Sequence, residues 1–122
     1  GDQPRVRALL MWFADESGFY FETMTPKCFY EQLVDNPKVE ICFYNNATEL
    51  MACKMMRVTG TVEILDDAEL KAKVVAERAF LEDLAGQPIA PITEVFRLSS
   101  GEAHFWTMHD VLKERALERI RF

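Results

Sequence analysis

The residues best suited to do chemistry lie in one run, Phe19 to Phe43, FYFETMTPKCFYEQLVDNPKVEICF. Thr25 followed by Pro26 predicts a helix start, with a hydroxyl at the N-cap and a first helical residue that has no N–H to leave unpaired. Asn36-Pro37 predicts its end. The open N–H groups of the first turn, the hydroxyls of Thr23 and Thr25 and the ammonium of Lys27 are the groups that hold a phosphate. A lysine at a helix N-terminus costs about 0.3–1 kcal/mol, and a bound anion would remove that conflict. A solvated first-turn lysine accounts for Lys27 equally well.

These groups need elements to hold them. Arg5 to Phe13, RVRALLMWF, reads as a strand with Val6, Ala8, Leu10 and Trp12 on one face and Arg5 and Arg7 on the other. Asp15-Glu16-Ser17-Gly18 is a turn, so this strand is expected to pair with Phe19–Met24 as an antiparallel hairpin. That pairing sets Arg7 beside Thr23 and close to Lys27. Each charge-assisted bond to a phosphate contributes about 1.5–3 kcal/mol, so the three together would fix a doubly charged group. Two arginines on a solvated strand edge are the simpler local reading.

Downstream, Val39 to Tyr44 alternates as a half-buried strand, and Leu50 to Leu65 reads as a long strand with a bulge or bend at Gly60. Arg57 shares an alternation with Thr59, Thr61 and Glu63, and solvation is its simpler reading. Asp66 with Glu69 has capping-box spacing and opens the longest predicted helix, which runs to Gly86. Glu94–Leu98 and Ala103–Met108 are expected to form a second hairpin across Ser99-Ser100-Gly101. Trp106, its largest side chain, suits a core, a subunit interface or the cover of a planar cofactor. The segment from Asp110 has both helix propensity and a strand-like end, and is left open.

The chain has 122 residues, 49% of them hydrophobic, enough for one domain with a real core. A net charge of −6 argues against a nucleic-acid surface, so any phosphate must be recognised locally. Nothing in the sequence suits a membrane span or a signal peptide, which together predict a cytoplasmic protein. Cys28, Cys42 and Cys53 lie far apart, without Cys-x-x-Cys or metal-ligand spacing to His104 or His109, and read as reduced thiols. Cys28 has the helix N-terminus that favours a thiolate but no histidine close by in sequence, so packing is its simpler role.

Taken in order, several patterns resemble the pyridoxamine 5'-phosphate oxidase-like proteins, whose fold is an antiparallel FMN-binding split β-barrel, mainly β with helices (α+β). They are the Pro4-x-x-Arg7 entry, FYFETMTPK with Thr23 and Lys27, EQLVDNPKVEI, MRVTGTVEILDD with Gly60, and the closing GEAHFWTM. The resemblance covers nearly all of residues 1–122 as a single flavin-binding domain. It implies an FMN between two subunits of a homodimer, its phosphate held at Arg7, Thr23 and Lys27. It further implies backbone contacts to the ring from Phe21, Glu22 and Thr23, with Arg57 and Trp106 near the cofactor. Family members carry a helix and a strand ahead of the Gly1-Asp2-Gln3-Pro4 turn. The resemblance is closer to the short flavin-binding members; Cys28 stands where a second basic residue would follow Lys27, which implies fewer charges on the phosphate, and no Arg and His pair follows Trp106, which argues against vitamin B6 oxidation.

The expected activity is that of an FMN-dependent oxidoreductase, passing electrons from a reduced nicotinamide to a small molecule, with the protein binding and orienting. No catalytic residue and no metal ligand set emerges. Two other readings remain open: a non-catalytic module for FMN, haem or a deazaflavin, and a structural dimer with an empty cleft.

Overall fold

A computed structural model describes residues 3–122; the Gly1-Asp2 part of the expected opening turn lies outside them. The described chain is mixed α+β, mainly β, and its strands form two antiparallel four-stranded sheets.

The first sheet runs in the order β1 (Phe13–Asp15), β2 (Gly18–Met24), β6 (Thr93–Leu98), β5 (Glu63–Leu65). The second runs β3 (Lys38–Tyr44), β4 (Lys54–Thr61), β7 (Gly101–Thr107), β8 (Ile120–Arg121). Alternation turns one face of each sheet inward. Phe21, Phe96 and Leu98 from the first sheet meet Val58 and Ala103 from the second, with Leu33 of helix α1 (Cys28–Asp35) and Val62. Phe21 stacks on Phe96 at 5.2 Å between ring centroids, and Phe29 meets Phe96 edge-on at 5.6 Å. A second cluster, Tyr20, Val95 and Val74, seals the other face of the first sheet against helix α2 (Ala68–Glu77).

Six expectations are corrected. The strand over Arg5–Phe13 forms only at its end, where Phe13 pairs with Tyr20. Residues 3–12 carry no ladder. The Leu10 and Met11 carbonyls accept from Arg78 instead. The expected long strand breaks at Val62, not at Gly60. Val62 donates its N–H to the Pro37 carbonyl at 2.9 Å, and there the chain passes from the second sheet to the first. Gly60 sits in regular pairing with Val39 and Gly101. The two glycines permit close approach, since a Cβ on Gly101 would lie 2.0 Å from the Thr59 carbonyl oxygen and one on Gly60 would lie 2.6 Å from that of Ser100. The expected second hairpin does not exist: β6 already has β2 and β5 on its two edges, so the chain crosses at Ser99-Ser100 and β7 joins the other sheet.

Helix starts shift as well. α1 begins at Cys28 with Lys27 at its N-cap, two residues after the expected Thr25 cap, because Lys27 N–H closes a turn onto the Met24 carbonyl at 3.0 Å. The cap of α2 is Asp67, one residue after Asp66, and its carboxylate accepts from Glu69 and Leu70 N–H groups. The expected single helix to Gly86 is interrupted at Arg78 and resumes as α3 (Phe80–Ala85). The open tail after β7 becomes two short 3-10 turns and β8, which pairs with β7. Among the described residues no helix is long and apolar enough to cross a membrane. Cys28 and Cys42 are exposed, Cys53 is half-buried, and all three are free thiols.

Candidate functional site

β2 delivers Thr23 and α1 receives Lys27 four residues later, so the turn between them brings both to one place. They line a hollow of about 280 Å³ together with Ala8 to Leu10, Phe21, Glu22, Met24, Arg78, Phe80 and Leu81. Two features of this hollow suit an anion. Lys27 is exposed and has no carboxylate partner among the described residues, and no side chain caps the start of α1. The Thr23 hydroxyl, on a residue only 3% exposed, has no hydrogen-bond partner among the described residues. A buried hydroxyl without a partner is unfavourable; its oxygen has almost no accessible surface, so a ligand oxygen would relieve it only where the wall gives way to it.

Glu22 adds a negative charge to the wall, but Arg78 neutralises it through an ion pair of 2.6 Å. The sequence reading missed Arg78. A signal was present: Leu70, Val74 and Arg78 recur at four-residue intervals, which places a charged residue on the apolar stripe of α2.

Of the other expected site residues, Phe21 and Glu22 line the hollow, while Arg7, Arg57 and Trp106 do not line it within one chain. Arg7 lies on the side of α1, its guanidinium 4.6 Å from the Phe29 ring centroid and bonded to the Gln32 amide oxygen, and not beside Thr23. The lost strand pairing is the reason. Arg57 and Trp106 are on the face of the second sheet that points away from the core. Arg57 is held there by Glu40 at 2.6 Å and by Glu114 at 2.7 Å. Trp106, half-buried, pairs with Met55. Among the described residues no cluster of His, Cys, Asp and Glu is placed to hold a metal ion.

Thr23→Val therefore separates two effects. Removing a partnerless hydroxyl should leave the ligand-free fold as stable or about 1 kcal/mol more stable, while any phosphate bound there loses one neutral donor, worth about 0.5–1.5 kcal/mol. Thermal unfolding with and without ligand checks both; a destabilised ligand-free protein would show that the hydroxyl already has a structural partner.

A second buried polar atom lies on the outer face. His104, 7% exposed, pairs with Arg57 in register, and its Nε2 has no partner among the described residues. Burial pushes its pKa below 6.5, Arg119 and Arg57 push the same way, and Glu114 and Glu40 oppose them. In the pH range between the folded value and 6.5 the unfolded chain binds a proton that the folded chain does not, so stability falls as pH drops through that range and is restored above it. His104→Gln should flatten this part of the stability profile. Denaturant titrations of both proteins from pH 7 downward test the point, and parallel profiles would contradict it.

The sequence model of the pyridoxamine 5'-phosphate oxidase family matches residues 1–107. The chain belongs to that oxidase-like family, whose members generally bind flavin or related cofactors. Among solved structures it is similar to a NimC/NimA family protein from Clostridium acetobutylicum. That likeness has 26% identity and a TM-score of 0.75, and covers 100% of this chain and 78% of the other. No curated protein matches.

Proposed function

We propose that the chain is an FMN-binding, flavin-dependent oxidoreductase that takes electrons from a reduced nicotinamide and acts on a small molecule. The observation that carries this reading is the hollow at the β2–α1 turn, where an unpaired lysine, an uncapped helix start and a partnerless buried hydroxyl meet beside an apolar wall. Lys27 and the first-turn N–H groups of α1 bind the phosphate, Thr23 donates or accepts one hydrogen bond, and the main chain at Phe21 to Thr23 lines the ring. When bound, FMN supplies the redox chemistry, and the protein holds and orients it.

The family match supports the cofactor class, and the chemistry of the donor set supports a phosphate-bearing flavin. One chain's hollow, about 280 Å³, is slightly smaller than the ~300–1,000 Å³ of typical small-molecule sites. A homodimer completes it in this reading: the second subunit brings an outer sheet face, with Arg57 and Trp106, to the open side. The homodimer with FMN between its subunits and the split β-barrel belong to the same proposal, as does a cytoplasmic setting.

Reconstitution with FMN tests it. The expected result is a dimer by sedimentation with flavin bands near about 375 and 450 nm, the second bleached by NADH or NADPH without oxygen. Flavin that binds but is reduced by neither nicotinamide would reduce the protein to a binding module. Protein that remains monomeric and colourless would overturn the reading.

A further inference from the structure

Arg78 is 9% exposed, and the two terminal nitrogens of its guanidinium engage one carboxylate and two carbonyls. One nitrogen donates to Glu22 at 2.6 Å and to the Leu10 carbonyl at 3.0 Å, and the other donates to the Met11 carbonyl at 2.8 Å. The Glu22 and Arg78 side chains are 10% and 11% exposed. Residues 3–12 have the alternation of a strand but no ladder, so the carbonyls of Leu10 and Met11 are satisfied by a side chain from the junction of α2 and α3. The same junction interrupts what would otherwise be one helix.

The clamp therefore determines where the Ala8–Leu10 wall of the hollow stands relative to Phe21–Met24. A buried ion pair is poor evidence for stability, because apolar residues of similar volume often serve as well or better. What it supplies here is placement. The planar fork of arginine reaches a carboxylate and two carbonyls at once, which the single ammonium of lysine cannot do with the same geometry.

We propose that Arg78 is a positioning residue for the ligand in the hollow: it sets the width of the slot between residues 8–10 and β2 and keeps the Glu22 charge neutralised. The inference rests on the functional reading above and adds a residue that does not touch phosphate. A misplaced wall acts on the ring, so both FMN and riboflavin should feel it.

The test uses the full chain and titrates FMN and riboflavin separately by flavin fluorescence. Arg78→Lys retains the charge opposite Glu22 and loses the fork; it should weaken both flavins by the same factor, about tenfold or more. The double variant Glu22→Leu with Arg78→Met removes the ion pair in favour of apolar packing, and should unfold as a cooperative unit while also weakening both flavins. Affinities equal to wild type in the folded variants would overturn the role, as would a loss confined to FMN. Failure of both variants to fold would overturn it too, in favour of a structural residue. Wild-type protein that binds neither flavin would contradict the functional reading itself, whereas binding by wild type and Arg78→Lys alike contradicts only the role of Arg78.

Discussion

Lys27→Ala is expected to weaken FMN about ten- to a hundredfold and to leave riboflavin, which has the same ring and no phosphate, nearly unchanged. The size follows from charge: the lysine is the one cation that lines the hollow without a partner among the described residues, since Arg78 is committed to Glu22. Arg7→Ala should change the affinity for either flavin little, because the Arg7 guanidinium rests on Phe29 and Gln32 and does not line the hollow. Fluorescence titration of both flavins against wild type and variants measures the difference. Equal losses for the two ligands would mean that Lys27 is only a solvated residue at a helix start.

Phe96→Ala is expected to cost about 3–5 kcal/mol of folding stability. Phe96 is 2% exposed, stacks on Phe21 from β2 and takes the edge of Phe29 from α1, so its ring joins the two elements that present Thr23 and Lys27. Neither neighbour can fill the space, because Phe21 is fixed by the β2 ladder and Phe29 by the first turn of its helix. Chemical denaturation should show the loss, and Phe96→Leu should recover a large part of it. A cost under about 1 kcal/mol for Phe96→Ala would mean that the core closes over the gap and that the ring does not join the two elements.

What was legible in the sequence was local. The run from β2 through α1 to β3 is dictated by alternation, a turn and two prolines, and its strands and helix form within two or three residues of where they were expected. Thr23 and Lys27 are close in sequence, so their convergence needed only that turn. The failures are long-range. The alternation of Val6, Ala8, Leu10 and Trp12 promised a strand, yet the groups that satisfy Leu10 and Met11 come from Arg78, more than sixty residues on. Ser99-Ser100-Gly101 has the composition of a hairpin turn, and nothing local says that both edges of β6 are already taken. Gly60 was read as a bend because glycine is common at bends, whereas its use here is the approach of Ser100, a neighbour set by the pairing of β4 with β7.

The site divides along the same line. The convergence of Thr23 and Lys27, on which the proposed phosphate end rests, was readable from residue types and spacing. The wall was not, since Glu22 and Arg78 are 56 positions apart and an ion pair leaves no periodic trace beyond one charge on an apolar stripe. Arg57 was placed by resemblance and Trp106 by resemblance and by what a large aromatic can cover, and in one chain both face outward. Their connection to the hollow belongs to the proposed dimer.

The most direct test of the central claim is equilibrium dialysis of FMN against the purified chain, repeated with excess riboflavin and with excess inorganic phosphate as competitors. The account predicts saturable binding of one FMN per chain, displaced by riboflavin only at higher concentration than FMN itself and weakened by phosphate. Binding that does not saturate, or that riboflavin matches and phosphate leaves untouched, would contradict a phosphate site built from Lys27, Thr23 and the start of α1.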